Sequence, residues 1–162
     1  MKLRRSLALV PTAAVVLLAS FVGTGTASAS PARSEAPRSG TLHVTKNCTG
    51  FSGDPFPQSF CVITASNLKA IPLGSKVLYL KPGDLATPAG SDVILDPPGN
   101  GHGKAFGNCA LVPSNNFNGV CTFSGGTGDL KGFHATVVVG NVDGVNYTWT
   151  GTYAFSTPCR RA

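Results

Sequence analysis

Few side chains in this chain of 162 residues are equipped for chemistry, and they are widely spaced. The histidines are His43, His102 and His134, and Glu35 is the one glutamate. A histidine titrates close enough to neutral pH to act as a general base. His43 and His134 fall in strand-like segments, and if both face one interior they meet near Trp149 or Tyr147. His102 sits in a glycine loop. Asp54, Asp84, Asp129 and Asp143 stand in Gly- and Pro-rich turns, where aspartate folds the chain by bonding its own backbone. Asp92 and Asp96 flank one short strand on the same face. Catalysis by paired carboxylates needs two acids on one cavity, and no such pair declares itself. There is no Gly-x-Ser-x-Gly elbow and no His-Glu-x-x-His. The run PGNGHGKAFG has a Gly103-Lys104 pair like the end of a phosphate loop. Its spacing fails, with Pro98 and Ala105 where Gly and Ser or Thr belong, so it is expected to be a hairpin loop. Catalytic residues therefore stay unassigned.

The cysteines carry more information. Five lie at positions 48, 61, 109, 121 and 159, none closer than 12 residues to the next, and there is no CxxC pair. That spacing argues against zinc, and no motif implies a metal or a cofactor. The chain opens MKLRRSLALVPTAAVVLLASFVGTGTASAS, with a positive start, an apolar run and a small-x-small site at Ala27-Ser28-Ala29. Residues 1–29 fit a signal peptide. Pro11 and the Gly/Thr/Ser tail shorten the apolar run below the roughly 18 residues that a membrane anchor needs. A secreted chain with no membrane segment after cleavage is expected, and in that setting the cysteines form disulfides. Cys109 and Cys121 lie symmetrically about residue 115, so a hairpin centred there makes them cross-strand partners. Cys48 and Cys61 close a turn-rich loop. Cys48–Cys61 and Cys109–Cys121 is the expected pattern, with Cys159 left free or intermolecular; other connectivities stay open.

The elements that must position these groups are short strands. Residues 30–40 are rich in Pro, Ser and Arg and are expected to be a disordered tail. Residues 41–159 then form a single domain. Alternating segments at 41–46, 60–65, 75–80, 92–96, 104–112, 120–124, 130–139 and 146–155 are separated by Gly, Pro, Asn and Asp turns. No apolar run beyond the leader has helical spacing. The last segment is the clearest: Tyr147, Trp149, Gly151, Tyr153 and Phe155 alternate with Asn146, Thr148, Thr150, Thr152 and Ala154. One face is aromatic and the other mostly hydroxyl, as in the wall of a barrel or sandwich. Net charge falls from +6 to +3 once Lys2, Arg4 and Arg5 are removed with the leader. The remaining lysines (Lys46, Lys69, Lys76, Lys81, Lys104, Lys131) are scattered singly, which excludes a nucleic-acid stripe.

Around Gly125-Gly126-Thr127-Gly128, followed by Leu130, Gly132 and Phe133, the chain resembles the glycine hairpin of the allene oxide cyclase-like and dirigent-like barrels. The hairpin GNCALV–VCTF and the closing strand YTWTGTYAF extend the resemblance. It implies an eight-stranded antiparallel β-barrel, often oligomeric, whose lumen takes an apolar ligand, and which in some members guides a cyclisation. An immunoglobulin-like β-sandwich is the alternative fold. The resemblance does not carry over the family's enzymatic residues. The first strand has His43 and no carboxylate, and no arginine lies between Arg38 and Arg160.

The leading expectation is a secreted barrel that binds a small apolar molecule. Its lumen candidates are Tyr79, Phe106, Tyr147, Trp149, Tyr153 and Phe155, with His43 and His134. A cyclase or isomerase acting by positioning, and a filled barrel with a structural or interaction role, are the alternatives. A continuous apolar cavity of about 300 Å³ or more separates the binding barrel from the filled one.

Overall fold

The computed structural model describes residues 38–54 and 57–156. The expected leader, most of the expected tail and Cys159 lie outside them. The strands are β1 (Ser39–Asn47), β2 (Phe60–Ser66), β3 (Lys76–Tyr79), β4 (Ser91–Asp96), β5 (Ala105–Val112), β6 (Asn118–Gly126), β7 (Phe133–Asn141) and β8 (Asn146–Phe155). Each pairs antiparallel with the next, and β1 pairs with β8 from Ser39↔Ala154 to Asn47↔Asn146. The sheet closes on itself, so the fold is an eight-stranded barrel and not a sandwich. β1 begins at Ser39, two residues inside the expected tail, because β8 offers those residues ladder partners. Among the described residues there is no α-helix, only three 3-10 turns at Pro82–Ala86, Pro113–Asn115 and Gly128–Leu130. No helix there is long and apolar enough to cross a membrane.

Period-2 alternation sets the lumen. On β7, Phe133, Ala135, Val137 and Val139 are buried, while His134, Thr136 and Val138 are exposed. On β8, Trp149 and Tyr153 are buried, while Thr150, Thr152 and Ala154 face outward. Alternation puts Gly151 on the same face, and a Cβ there would run into the Thr136 carbonyl, so glycine lets β8 press against β7. Both expected disulfides are present, each with Cα–Cα 4.1 Å. Cys109 and Cys121 are direct partners in the β5–β6 ladder. The Cys48–Cys61 bridge lies one step beyond the Asn47↔Val62 pair of the β1–β2 ladder.

The two ends of the barrel differ. At one end, Leu68 and Ile71 from the β2–β3 connection and Leu130 from the β6–β7 connection are buried in the core. Beneath them Phe123, Phe133, Trp149 and Phe155 stack at centroid distances of 5.4–5.9 Å, and Tyr153 lies 6.0 Å from Phe155. This half is filled, as a barrel of eight strands can be. The Gly125-Gly126-Thr127-Gly128 turn braces it. Gly128 (φ 54°) and Gly103 (φ 77°) pack backbone to backbone with no room for a Cβ on either. The Thr127 amide donates to the Lys104 carbonyl (2.7 Å), and the Asp129 amide to the His102 carbonyl (2.9 Å). Most of the PGNGHGKAFG run is thus the β4–β5 connection, as expected, its last three residues open β5, and Gly103 serves this docking.

The opposite end is the mouth. It is bordered by the loop after β1, the 3-10 turn at Pro82–Ala86, the β5–β6 hairpin and the β7–β8 turn.

Candidate functional site

The site grows from β1. Leu42, Val44 and Lys46 alternate onto the inner face, ahead of the bridged Cys48. Lys46 stands opposite Tyr147 of β8, and Val44 opposite Trp149. Between Thr45 and Lys46 the pairing with β2 slips by one residue, from Thr45↔Ala65 to Lys46↔Ile63. The extra residue is Thr64 of β2, so β1 keeps its phase and Lys46 follows Leu42 and Val44 onto the inner face, 1% exposed.

Its surroundings are aromatic. Lys46 Nζ donates to the Tyr79 hydroxyl at 2.7 Å. It lies 4.7 Å from the Trp149 ring centroid, 5.4 Å from that of Tyr79 and 5.9 Å from that of Tyr147. No carboxylate among the described residues pairs with it; the ion pairs formed there are His102–Asp129 and Lys104–Asp96, both on the outer surface. The ring faces offer a cation partial compensation for lost water. Desolvation still dominates and lowers the Lys46 ammonium from the usual 10.5 to about 7. Burial, and secondarily Tyr147, pushes the Tyr79 phenol up, so it stays a neutral donor and acceptor. Tyr147 is raised as well, by partial burial and then by Asp143.

Above this group lies a cavity of about 220 Å³, lined by Lys46, Phe51, Tyr79, Leu111, Phe117 and Tyr147, with Cys48, Leu85 and Gly144. Phe51 meets Tyr79 edge to face at 5.3 Å. Phe117 stands at the rim with φ 57°, after Asn116 with φ 51°. The left-handed region is uncommon for a bulky residue and costs of order 1 kcal/mol or more. Several bonds hold it: the Phe117 amide donates to the Val112 carbonyl (3.0 Å), and Asn141 Nδ2 donates to the Asn116 carbonyl (2.9 Å). Asp143 fixes the facing turn by accepting from the amides of Val145 (3.0 Å) and Asn146 (2.6 Å) and from the Asn146 side chain (2.8 Å). Those bonds hold its carboxyl below the ordinary range.

The lumen candidates divide into three groups. Tyr79 and Tyr147 line the cavity. Trp149, Tyr153 and Phe155 face inward but belong to the core, Trp149 packed under Lys46 and the other two in the closed half. Phe106, His43 and His134 are corrections: all three point outward. Phe106 is 47% exposed because Ala105, Cys109 and Leu111 take the inner face of β5. His43 alternates with buried Leu42 and Val44, and His134 with buried Phe133 and Ala135. They pair with Thr150 and Ala154 of β8, so they do not meet. Asp92 and Asp96 also face outward, against Asn108 and Lys104. Ser91, Val93 and Leu95 hold the inner positions of β4. Among the described residues, no three His, Cys, Asp or Glu side chains cluster as metal ligands do.

Lys46 is the candidate site residue that sequence reasoning passed over as one scattered lysine among six. The signal was present in the alternation Leu42–Val44–Lys46–Cys48. No protein-family model matches this chain, and a search of curated proteins returns no match.

Proposed function

We propose that this protein is an exported barrel that binds a small, largely apolar molecule in its mouth, with one polar atom of the ligand set against Lys46 and Tyr79. The observation that carries this is a buried amine whose one hydrogen-bond partner among the described residues is Tyr79, at the base of an aromatic cavity. A lysine is retained in an apolar interior at a cost of several kcal/mol unless something offsets it. A ligand acceptor atom would supply that offset. The two disulfides support export, since such bridges persist in oxidising compartments. The leader at residues 1–29 supports it too. The closed antiparallel meander and the glycine turn are consistent with the allene oxide cyclase-like and dirigent-like barrels, and kinship with them is part of the proposal. So is self-association, which that group commonly shows.

Cavity size bounds the ligand. At about 220 Å³ the mouth falls short of the roughly 300 Å³ set above for a binding barrel, so it admits only a ligand below drug size. An apolar cavity of about 150 Å³ takes benzene. A single ring with a short substituent therefore fits. Titration with benzyl alcohol, followed by Trp and Tyr fluorescence, tests the proposal. Saturable binding is expected in the parent protein, with at least tenfold weakening in Leu111→Trp, which fills the cavity. Equal binding by a correctly folded Leu111→Trp would remove the mouth as the site. Native mass spectrometry of protein from its host would show whether a small molecule co-purifies.

A further inference from the structure

Lys46 is placed to do more than hold a ligand. It is the one lysine among the described residues that is buried; Lys69, Lys76, Lys81, Lys104 and Lys131 are all exposed. Lys46 lines the cavity, no carboxylate among the described residues pairs with it, and its hydrogen-bond partner is a phenol that burial keeps protonated. A desolvated lysine in an apolar pocket is the usual form of an amine nucleophile. We infer that Lys46 forms an imine with small aromatic or unsaturated aldehydes and ketones that enter the barrel mouth, with Tyr79 as the proton relay. This rests on the binding site proposed above and specifies its ligand class as carbonyl compounds.

The chemistry balances without a further reagent. The neutral Lys46 amine adds its lone pair to the carbonyl carbon, and the C=O π pair moves to oxygen. A proton passes from nitrogen to that oxygen through the Tyr79 hydroxyl and gives a carbinolamine. Departure of water, with a second proton from nitrogen returned through Tyr79 to the leaving hydroxyl, leaves C=N. One carbonyl and one amine become one imine and one water, with no change of oxidation state. The groups that face Lys46 are Tyr79 from β3 and Tyr147 and Trp149 from β8; none carries a formal charge near neutral pH. With its ammonium lowered to about 7 by burial, the neutral amine is accessible near neutral pH. An ordinary lysine is neutral in about one molecule per thousand or fewer at that pH.

The test uses the disulfide-bonded protein at pH 7 with benzaldehyde and cyanoborohydride, which reduces the imine to a stable secondary amine. Peptide mass mapping then gives a rate for each lysine. Lys46 should be modified at least tenfold faster than any of the five exposed lysines. Lys46→Arg, with both bridges formed, should show no fast site, and Tyr79→Phe should slow adduct formation at Lys46 severalfold more than it weakens benzyl alcohol binding. If benzyl alcohol binds but Lys46 reacts no faster than the surface lysines, the imine is overturned and the binding site stands. If benzyl alcohol does not bind and Lys46 shows no preference, both fall. An unchanged rate in Tyr79→Phe would overturn the relay.

Discussion

The two halves of this barrel are built from the same strands and use their interiors in opposite ways. In the closed half, Phe123, Phe133, Tyr153 and Phe155 fill the lumen, and Leu68, Ile71 and Leu130 fold in from the connections. In the mouth half, a lysine occupies the position that a large apolar residue would take, and a cavity of about 220 Å³ stays open above it. Aromatic packing is concentrated at one end. The other carries a desolvated amine and a left-handed Phe117, both of which oppose folding. A barrel wall suits this division because its hydrogen-bond ladder is continuous whatever lines the lumen.

The sharpest way to break the comparison is Phe133→Ala. Phe133 is fully buried in the closed half, so its loss should cost about 3–5 kcal/mol in urea unfolding. A cost under about 1 kcal/mol would mean that this half is not the stabilising one.

Lys46 should give the next largest effect, with a defined sign. Its folded value (about 7) lies below its unfolded one, so between about pH 7 and 10 the unfolded chain binds more protons. Stability should therefore rise with pH across that window, by an amount on the order of 3–4 kcal/mol, and level off below it. Tyr79 acts with the opposite sign above pH 10, where the unfolded phenol ionises and the buried one does not, so the comparison belongs below that. Lys46→Met should abolish the slope, be more stable than the parent near pH 6, and lose that advantage by pH 9–10. Parallel pH profiles of Tm for the two proteins would count against a buried amine.

The disulfides sharpen the contrast further. Each closes a short loop, with separations of 13 and 12 residues, and removing either should cost roughly 3 kcal/mol. Only Cys48–Cys61 borders the mouth, through Cys48. Its double serine variant should lose benzyl alcohol binding severalfold, and the Cys109/Cys121 variant should keep it once conditions restore folding. Smallest of all, His43→Ala and His134→Ala should each change stability by under about 0.5 kcal/mol and leave binding untouched, as outward surface positions do.

The barrel class and most of its strands were legible in the sequence because alternation and turn chemistry are local. β8 spans Asn146–Phe155 as its alternation indicates, and the symmetry of Cys109 and Cys121 about residue 115 set the β5–β6 register. Alternation also held the answer where expectation erred. His43, His134 and Phe106 are out of phase with buried neighbours on their own strands, and Lys46 is in phase with Leu42 and Val44. The plugging of one end by Leu68, Ile71 and Leu130 was not legible, because it depends on where connections fold once the barrel exists.

The β1–β8 seam has a consequence for how the chain reaches this state. Every rung of that ladder joins the first strand to the last, so the barrel cannot close until the final residues of the domain are available. Pairing so distant in sequence is slow to find. Until then β1 and β7 are open edges, the kind that recruit strands from other molecules. The two bridges join near neighbours in sequence, and each requires only one antiparallel strand pair to bring its cysteines together. They can form during that wait. Oxidation would then come first and circular closure last, so a chain ending before β8 would have its bridges and no barrel.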